Sequence, residues 1–295
     1  MISDQGHWSV RSPRLLIMDM PSPKRAKAQL LGSMVDCQVE ASGQLSAIVE
    51  DLLTTSETFP PDPRRVILVS GCRRAMQTAE VIATLAANQF VEDMAVLSRT
   101  LAETVINICY LQVCDEKEFR RLMIFDPISD LKLHRELKSA IGYSPSPEAE
   151  MLLEKMAQQA LSTGLFGKKP RSWTEVPLAE RARLSDGGID ARFNQQCMQI
   201  LRTSVYQHGH TFVHFTRRGL GHFAAAYLKS GAFTEDQRLM QVLVMVGAAN
   251  HALMGLATFL MSYYKLPIHE EWDGVNELLH TMKFGIETTD LSPPD

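Results

Sequence analysis

The chain has 295 residues, room for one large domain or two small ones. With 45% hydrophobic and 22% charged residues, its composition is that of a folded globular chain and excludes general disorder. A formal net charge of −4 excludes a global field that would draw the protein to nucleic acid or to an anionic membrane, so any such contact needs a local basic patch.

Read in chain order, the N-terminal residues carry no basic segment followed by an apolar run, so no signal peptide is expected. Helical spacing begins at Leu30, Leu31, Met34 and Val35 and continues through Leu45, Ile48, Val49, Leu52 and Leu53, which predicts a long first helix broken near Ser42-Gly43. Phe59-Pro60-Pro61-Asp62-Pro63 ends it, and Asp62 with Pro63 suits the cap and first turn of a second helix. That helix takes in Val66, Met76, Ala79, Ile82 and Leu85; Val66 to Val69 is the one run that also fits a short strand. A third helix is predicted from Phe90 to Val113. Asp115 with Glu118 forms a capping box for a fourth, which Pro127 is expected to kink or split. Ser146-Pro147-Glu148 opens a fifth. The stretch Ser162 to Pro177, with two Gly, two Pro and Trp173, reads as an irregular loop within one helical domain.

Helices are expected again from Leu178, over Ile189 to Val205, around Phe212 to Leu228, and from Thr234 to Tyr264, with a short amphipathic one at Val275, Leu278 and Leu279. The apolar run Leu239 to Tyr264 is long enough to span a bilayer. Asn250 and His251 at its centre favour a buried core helix, because polar groups are costly in lipid. The expected fold is an all-α multi-helix bundle of eight to ten helices. It divides into an N-terminal helical extension over 1–60, a helical bundle domain over 61–285 and an acidic tail over 286–295. The cysteines Cys37, Cys72, Cys109, Cys114 and Cys197 are odd in number and far apart, which suits reduced core residues of a cytoplasmic protein.

Two stretches carry chemistry. On the third helix, Arg99, Glu103 and Asn107 are spaced i, i+4, i+8 and share one face beside an apolar stripe. With Arg74 from the preceding helix they form a candidate polar cluster, whose plainest role is an ion pair tying two helices together. The second stretch runs from Arg202 through Ser204 to His208, with His210 and His214 beyond. Ser204 and His208 are i, i+4, yet no Gly-x-Ser-x-Gly elbow accompanies them. His210 and His214 lack a neighbouring carboxylate or cysteine, so no metal and no cofactor is expected. Phosphate-binding glycine loops, the His-Glu-x-x-His helix and the kinase motif set are all absent from the sequence.

Four ordered features carry a resemblance over about residues 65 to 215: the Arg74-Ala75 helix start, the Leu97-x-Arg99-x3-Glu103 helix, Trp173 ahead of Glu180-Arg181-Ala182, and Ser204-x3-His208-Gly209. Together they resemble an uncharacterised bacterial all-helical family, a domain of unknown function. Its members often place a Gly after the second helix, where this chain has Asn88-Gln89. Separately, Arg202-x5-His208, with the polar Thr203 directly after the arginine, is similar to the Arg-x4-6-His signature of HEPN-type proteins; Arg217-x4-His222 is a second such spacing. That resemblance implies a metal-independent endoribonuclease of toxin or phage-defence type acting as a homodimer. His208 would be its acid or base and Arg202 its phosphate ligand, with Ser204 orienting one or the other. Lys168, Lys169 and Arg171 are then expected to contact the RNA backbone. The alternative is a non-catalytic helical binding or sensor protein with a protein partner. Neither reading involves a membrane. The sequence also leads one to expect Arg99, Glu103 and His208 to converge near the bundle centre.

Overall fold

The computed structural model describes residues 23–55, 62–143, 146–167, 170–206 and 235–287, with side chains from 26 to 279. The described residues hold nine α-helices and no strand, an all-α multi-helix bundle. They are α1 (Pro23–Thr55), α2 (Pro63–Ala87), α3 (Val91–Val113), α4 (Glu116–Ile141), α5 (Pro147–Ser162), α6 (Leu178–Asp186), α7 (Cys197–Ile200), α8 (Glu235–Tyr263) and α9 (Trp272–Glu287). The helix α7 widens without a break into a π-helical stretch, Leu201–Tyr206.

The centre is α8. It is apolar on all sides, as a helix surrounded by others must be, and it packs against α1, α2, α3 and the π stretch. Leu253, Leu256, Phe259 and Leu260 have no exposed surface. Its central Asn250 is also buried, and its amide donates to both the carbonyl and the side chain of the buried Gln38 on α1. A buried amide needs such a partner, so this pair ties α1 to α8. Both α3 and α8 are long and apolar enough to cross a membrane, but 61% and 72% of their most apolar windows are covered by the bundle itself.

Several helix ends follow the local signals. Asp62 accepts from the Arg65 N–H at 2.9 Å, Asp115 from Glu118 at 2.8 Å and Ser146 from Ala149 at 3.3 Å. These are the side-chain caps that satisfy orphan donors of a first turn. The C-terminus of α3 is closed from a distance. Arg64, at the start of α2, donates to the carbonyls of Leu111 at 2.6 Å and Cys114 at 3.1 Å, and its guanidinium lies 4.4 Å over the Phe119 ring. Between α2 and α3 the contact is close at Gly71, where a Cβ would fall 2.5 Å from Ile108 Cγ1.

Other local expectations give way to tertiary context. The helix α1 is unbroken through Ser42-Gly43, because Ala41, Ser42 and Leu45 are buried against the core and hold the turn. Its apolar residues from Leu31 to Leu53 belong to the same core as those of α8 and α9. Pro127 sits within a continuous α4. Val66 to Val69 is part of α2, with Leu68 buried and Val66 exposed, a helical rather than an alternating pattern. Residues 189–196 are not helical. Asp190 and Asn194 accept the N–H groups of Arg192 at 2.9 Å and Gln196 at 3.0 Å, turns that compete with the helix ladder. At the Asn88-Gln89 turn, Gln89 takes φ 55°, the left-handed conformation that favours glycine. The helix expected around Phe212 to Leu228 lies outside the described residues.

Candidate functional site

The face of α3 that carries Arg99, Glu103 and Asn107 also carries Tyr110, three residues further on. Three other parts of the chain meet it: α6, the π stretch and the loop before α6. Arg99 donates to the Tyr206 hydroxyl at 3.1 Å, and its guanidinium stands 4.8 Å over the same ring. Arg181 of α6 donates to Asn107 Oδ1, and its guanidinium lies 5.7 Å over the ring of Trp173. Trp173 in turn meets Tyr110 with ring centroids 6.1 Å apart.

The row continues into α4. The Thr174 hydroxyl donates to Glu118 at 2.6 Å, and the buried Arg121 joins Glu118 at 3.1 Å and the Trp173 carbonyl at 3.0 Å. Thus the loop that reads as irregular in sequence is fixed at Trp173-Thr174 by three helices.

Electrostatics follow from this packing. Burial pulls the Arg181 guanidinium below its ordinary value, and Glu103, Tyr110, Tyr206 and Glu118 oppose that shift in that order. Arg181 Nε is buried with no hydrogen-bond partner among the described residues. Tyr110 is pushed up to about 12, first by burial and then by Glu118, with a hydrogen bond to Thr174 acting against both. Glu103 is thus the leading electrostatic partner of the half-buried Arg181. Burial likewise raises the Cys72 thiol to about 12 and the Cys197 thiol to about 11, which leaves both protonated and poor nucleophiles near neutral pH.

Sequence reasoning overlooks Asp186. This carboxylate, buried at the end of α6, accepts the N–H groups of Met198 at 2.7 Å and Gln199 at 3.1 Å. It is a cap supplied from another helix, and an anion at a helix N-terminus is favourable. Burial raises its carboxyl, and those hydrogen bonds oppose the rise. No local pattern reveals it, because the capped turn lies 12 residues away in sequence.

The other anticipated residues are placed as follows. Arg202 is half-buried on the π stretch, and Ser204 is exposed, its hydroxyl donating to the Ile200 carbonyl at 2.6 Å. Arg74 is exposed on α2, so the cluster is built from Arg99, Glu103 and Asn107 with Arg181 and Tyr206. Arg171 is exposed beside Lys132 and Arg135 on a groove of α4 and α5. His208, Lys168, Lys169, His210 and His214 lie outside the described residues. Among the described residues no three His, Cys, Asp or Glu side chains come together in a way that would hold a metal ion.

These features define an all-α protein with a half-buried, arginine-rich row between α3, α6 and the π stretch. The chain belongs to a family of unknown function (DUF5677), whose pattern it matches over residues 65–227, more than half its length. That span holds α2 to α7, the whole polar row and the Arg202 to His208 segment. No curated protein and no solved structure matches the chain.

Proposed function

We propose that this protein is a HEPN-like, metal-independent endoribonuclease of the toxin or phage-defence type. The observation that carries the reading is that the segment leading into His208 is pinned at both ends. Asp186 holds its first turn, and Arg99 holds Tyr206 at its end. The stretch between them is a π-helix, a rare form found often at functional sites. Rigid placement of that kind is what a reacting constellation needs.

In this reading His208 takes the proton from a ribose 2′-hydroxyl. The freed oxygen attacks the adjacent phosphorus, the bond from phosphorus to the 5′-oxygen breaks, and that oxygen leaves as a hydroxyl after taking a proton from water, while His208 returns its own proton to solvent. The products are a 2′,3′-cyclic phosphate and a 5′-hydroxyl. Arg202 holds the phosphate and opposes the charge that builds on it. Ser204 retains free lone pairs for the histidine or for a ribose hydroxyl. Lys168, Lys169 and Arg171 contact the RNA backbone, and two copies pair so that both motifs line one cleft. No metal or cofactor takes part.

A second reading is a non-catalytic binding or sensor protein. It is favoured by the way Arg99, Asn107, Arg181 and Tyr206 direct hydrogen bonds at each other, as an interhelix tie does. The experiment that separates the two incubates purified protein with total cellular RNA and excess chelator, beside His208→Ala and Arg202→Ala. Cleavage leaving cyclic phosphate ends, lost in both folded variants, supports the nuclease. Equal cleavage in all three, or none at any protein concentration, removes it in favour of the binding protein.

A further inference from the structure

We infer that the free face of the α4–α5 hairpin is a self-association surface on which a second copy of this chain docks. The inference stands apart from the nuclease reading, in which the copies pair through the Arg202 to His208 cleft and not through this face. The two helices are antiparallel and held together by Glu150, which meets Lys138 at 2.8 Å and the buried His134 at 3.4 Å, and by Arg135 with Glu154 at 3.4 Å. Leu131, Ala157 and Ala160 are buried along the same seam.

Those contacts fix the rotation of each helix. At 3.6 residues per turn, Lys132, Arg135 and Glu136 fall on the side that carries the groove with Ala157, Leu161 and Arg171. The opposite side carries Leu133, Leu137 and Ile141 of α4 beside Leu152, Leu153 and Met156 of α5. Of these, Leu133, Ile141, Leu152 and Met156 are 55%, 73%, 58% and 44% exposed. Charged side chains border the patch: Asp126 and Asp130 toward the middle of α4, and the exposed Glu148 and Lys155, at i−4 and i+3 from Leu152, on α5. Half of the large exposed hydrophobic side chains among the described residues lie on this one hairpin, although it is a small part of the chain.

Chemistry and area both select a second copy as the occupant. The apolar centre of the face meets its own symmetry mate without like-charge repulsion, and charges are depleted at the centre of interfaces. Two antiparallel hairpins related by a two-fold axis make a four-helix bundle, a packing that closes on itself. The four named side chains expose on the order of 400 Å², already as large as the main apolar patch of a typical monomer. Doubled, and with Leu137 and Leu153 included, the buried surface reaches roughly 1,000 Å², the least a specific interface needs.

The test is sedimentation of the full chain over a concentration series. Wild type is expected to show a monomer–dimer equilibrium. The pair Leu133→Glu and Leu152→Glu should weaken it by about thirtyfold or more, as loss of a central anchor does, with circular dichroism unchanged. Val66→Glu, an equally exposed site on α2, should leave it unaltered. If the double variant fails to fold, Ile141→Lys, the most exposed of the set, takes its place. A wild-type chain that stays monomeric up to its solubility limit overturns the inference and leaves the face to a different partner. Self-association left unweakened by the hairpin substitutions also overturns it.

Discussion

Replacing Asp186 by Ala removes the cap on which the placement of the α7 and π stretch rests. Two hydrogen bonds are lost, from Met198 at 2.7 Å and from Gln199 at 3.1 Å. Bonds to a charged group contribute roughly 1.5–3 kcal/mol each, so the gross loss is about 3–6 kcal/mol. The buried carboxylate also carries a desolvation cost that the substitution relieves, and this costs several kcal/mol. The net expectation is a destabilisation of about 2 kcal/mol, the upper end of measured cap losses. Asp186→Asn keeps one acceptor oxygen and should lose about half as much. Urea unfolding followed by far-ultraviolet circular dichroism reads both, with unchanged slope. The pH dependence adds a signed test. Burial raises the carboxyl in the folded protein, so the folded state holds this proton more tightly than the unfolded state does. The stability that follows is fully present below the ordinary aspartate value and is lost as pH rises through the folded value. The stability difference between wild type and Asp186→Asn should therefore shrink over that interval and stay flat above it. A loss under about 0.5 kcal/mol for Asp186→Ala, within the range of an ordinary surface substitution, would refute the capping argument.

Glu103→Ala leaves Arg181 half-buried without the carboxylate that most strongly opposes its burial; a loss of about 1–2 kcal/mol is expected, and an unchanged melting temperature in a folded variant would contradict it. Tyr206→Phe keeps the ring beneath Arg99 but deletes the 3.1 Å hydrogen bond, so stability should fall by about 1 kcal/mol, while Arg99→Ala, which also removes the cation over the ring, should lower it further. If the nuclease reading holds, both variants should slow RNA cleavage more than their stability loss explains, measured at a temperature where each is fully folded. Gln89→Gly relieves a left-handed residue at φ 55° and should raise stability by up to about 1 kcal/mol, the conformational strain less the added chain entropy; a lower denaturation midpoint would show that the Gln89 side chain makes a contact worth more than the strain.

The sequence alone determined the fold class and most helix boundaries, because these rest on interactions within a few residues. The caps at Asp62, Asp115 and Ser146, the 3.6-residue periodicity of α2 and α3, and the long apolar run of α8 are local signals, and the chain obeys them. It also placed Arg99, Glu103 and Asn107 on one face, since i+4 spacing is a property of a single helix. Three things were beyond it. The partners of that face, Arg181 and Tyr206, lie 74 and 107 residues from Asn107 and Arg99, and only packing of α6 and the π stretch onto α3 brings them there. The cap from Asp186 and the closure of α3 by Arg64 join distant segments for the same reason. Local rules also fail where burial outweighs them. The turn at Ser42-Gly43 and the proline at 127 stay helical because breaking the helix there would cost the whole chain more, in lost core packing around α1 and in the contacts of α4 with α5, than a weak turn or one missing hydrogen bond costs locally. Conversely, residues 189–196 leave the helix because Asp190 and Asn194 satisfy the backbone themselves, a choice that periodicity does not register.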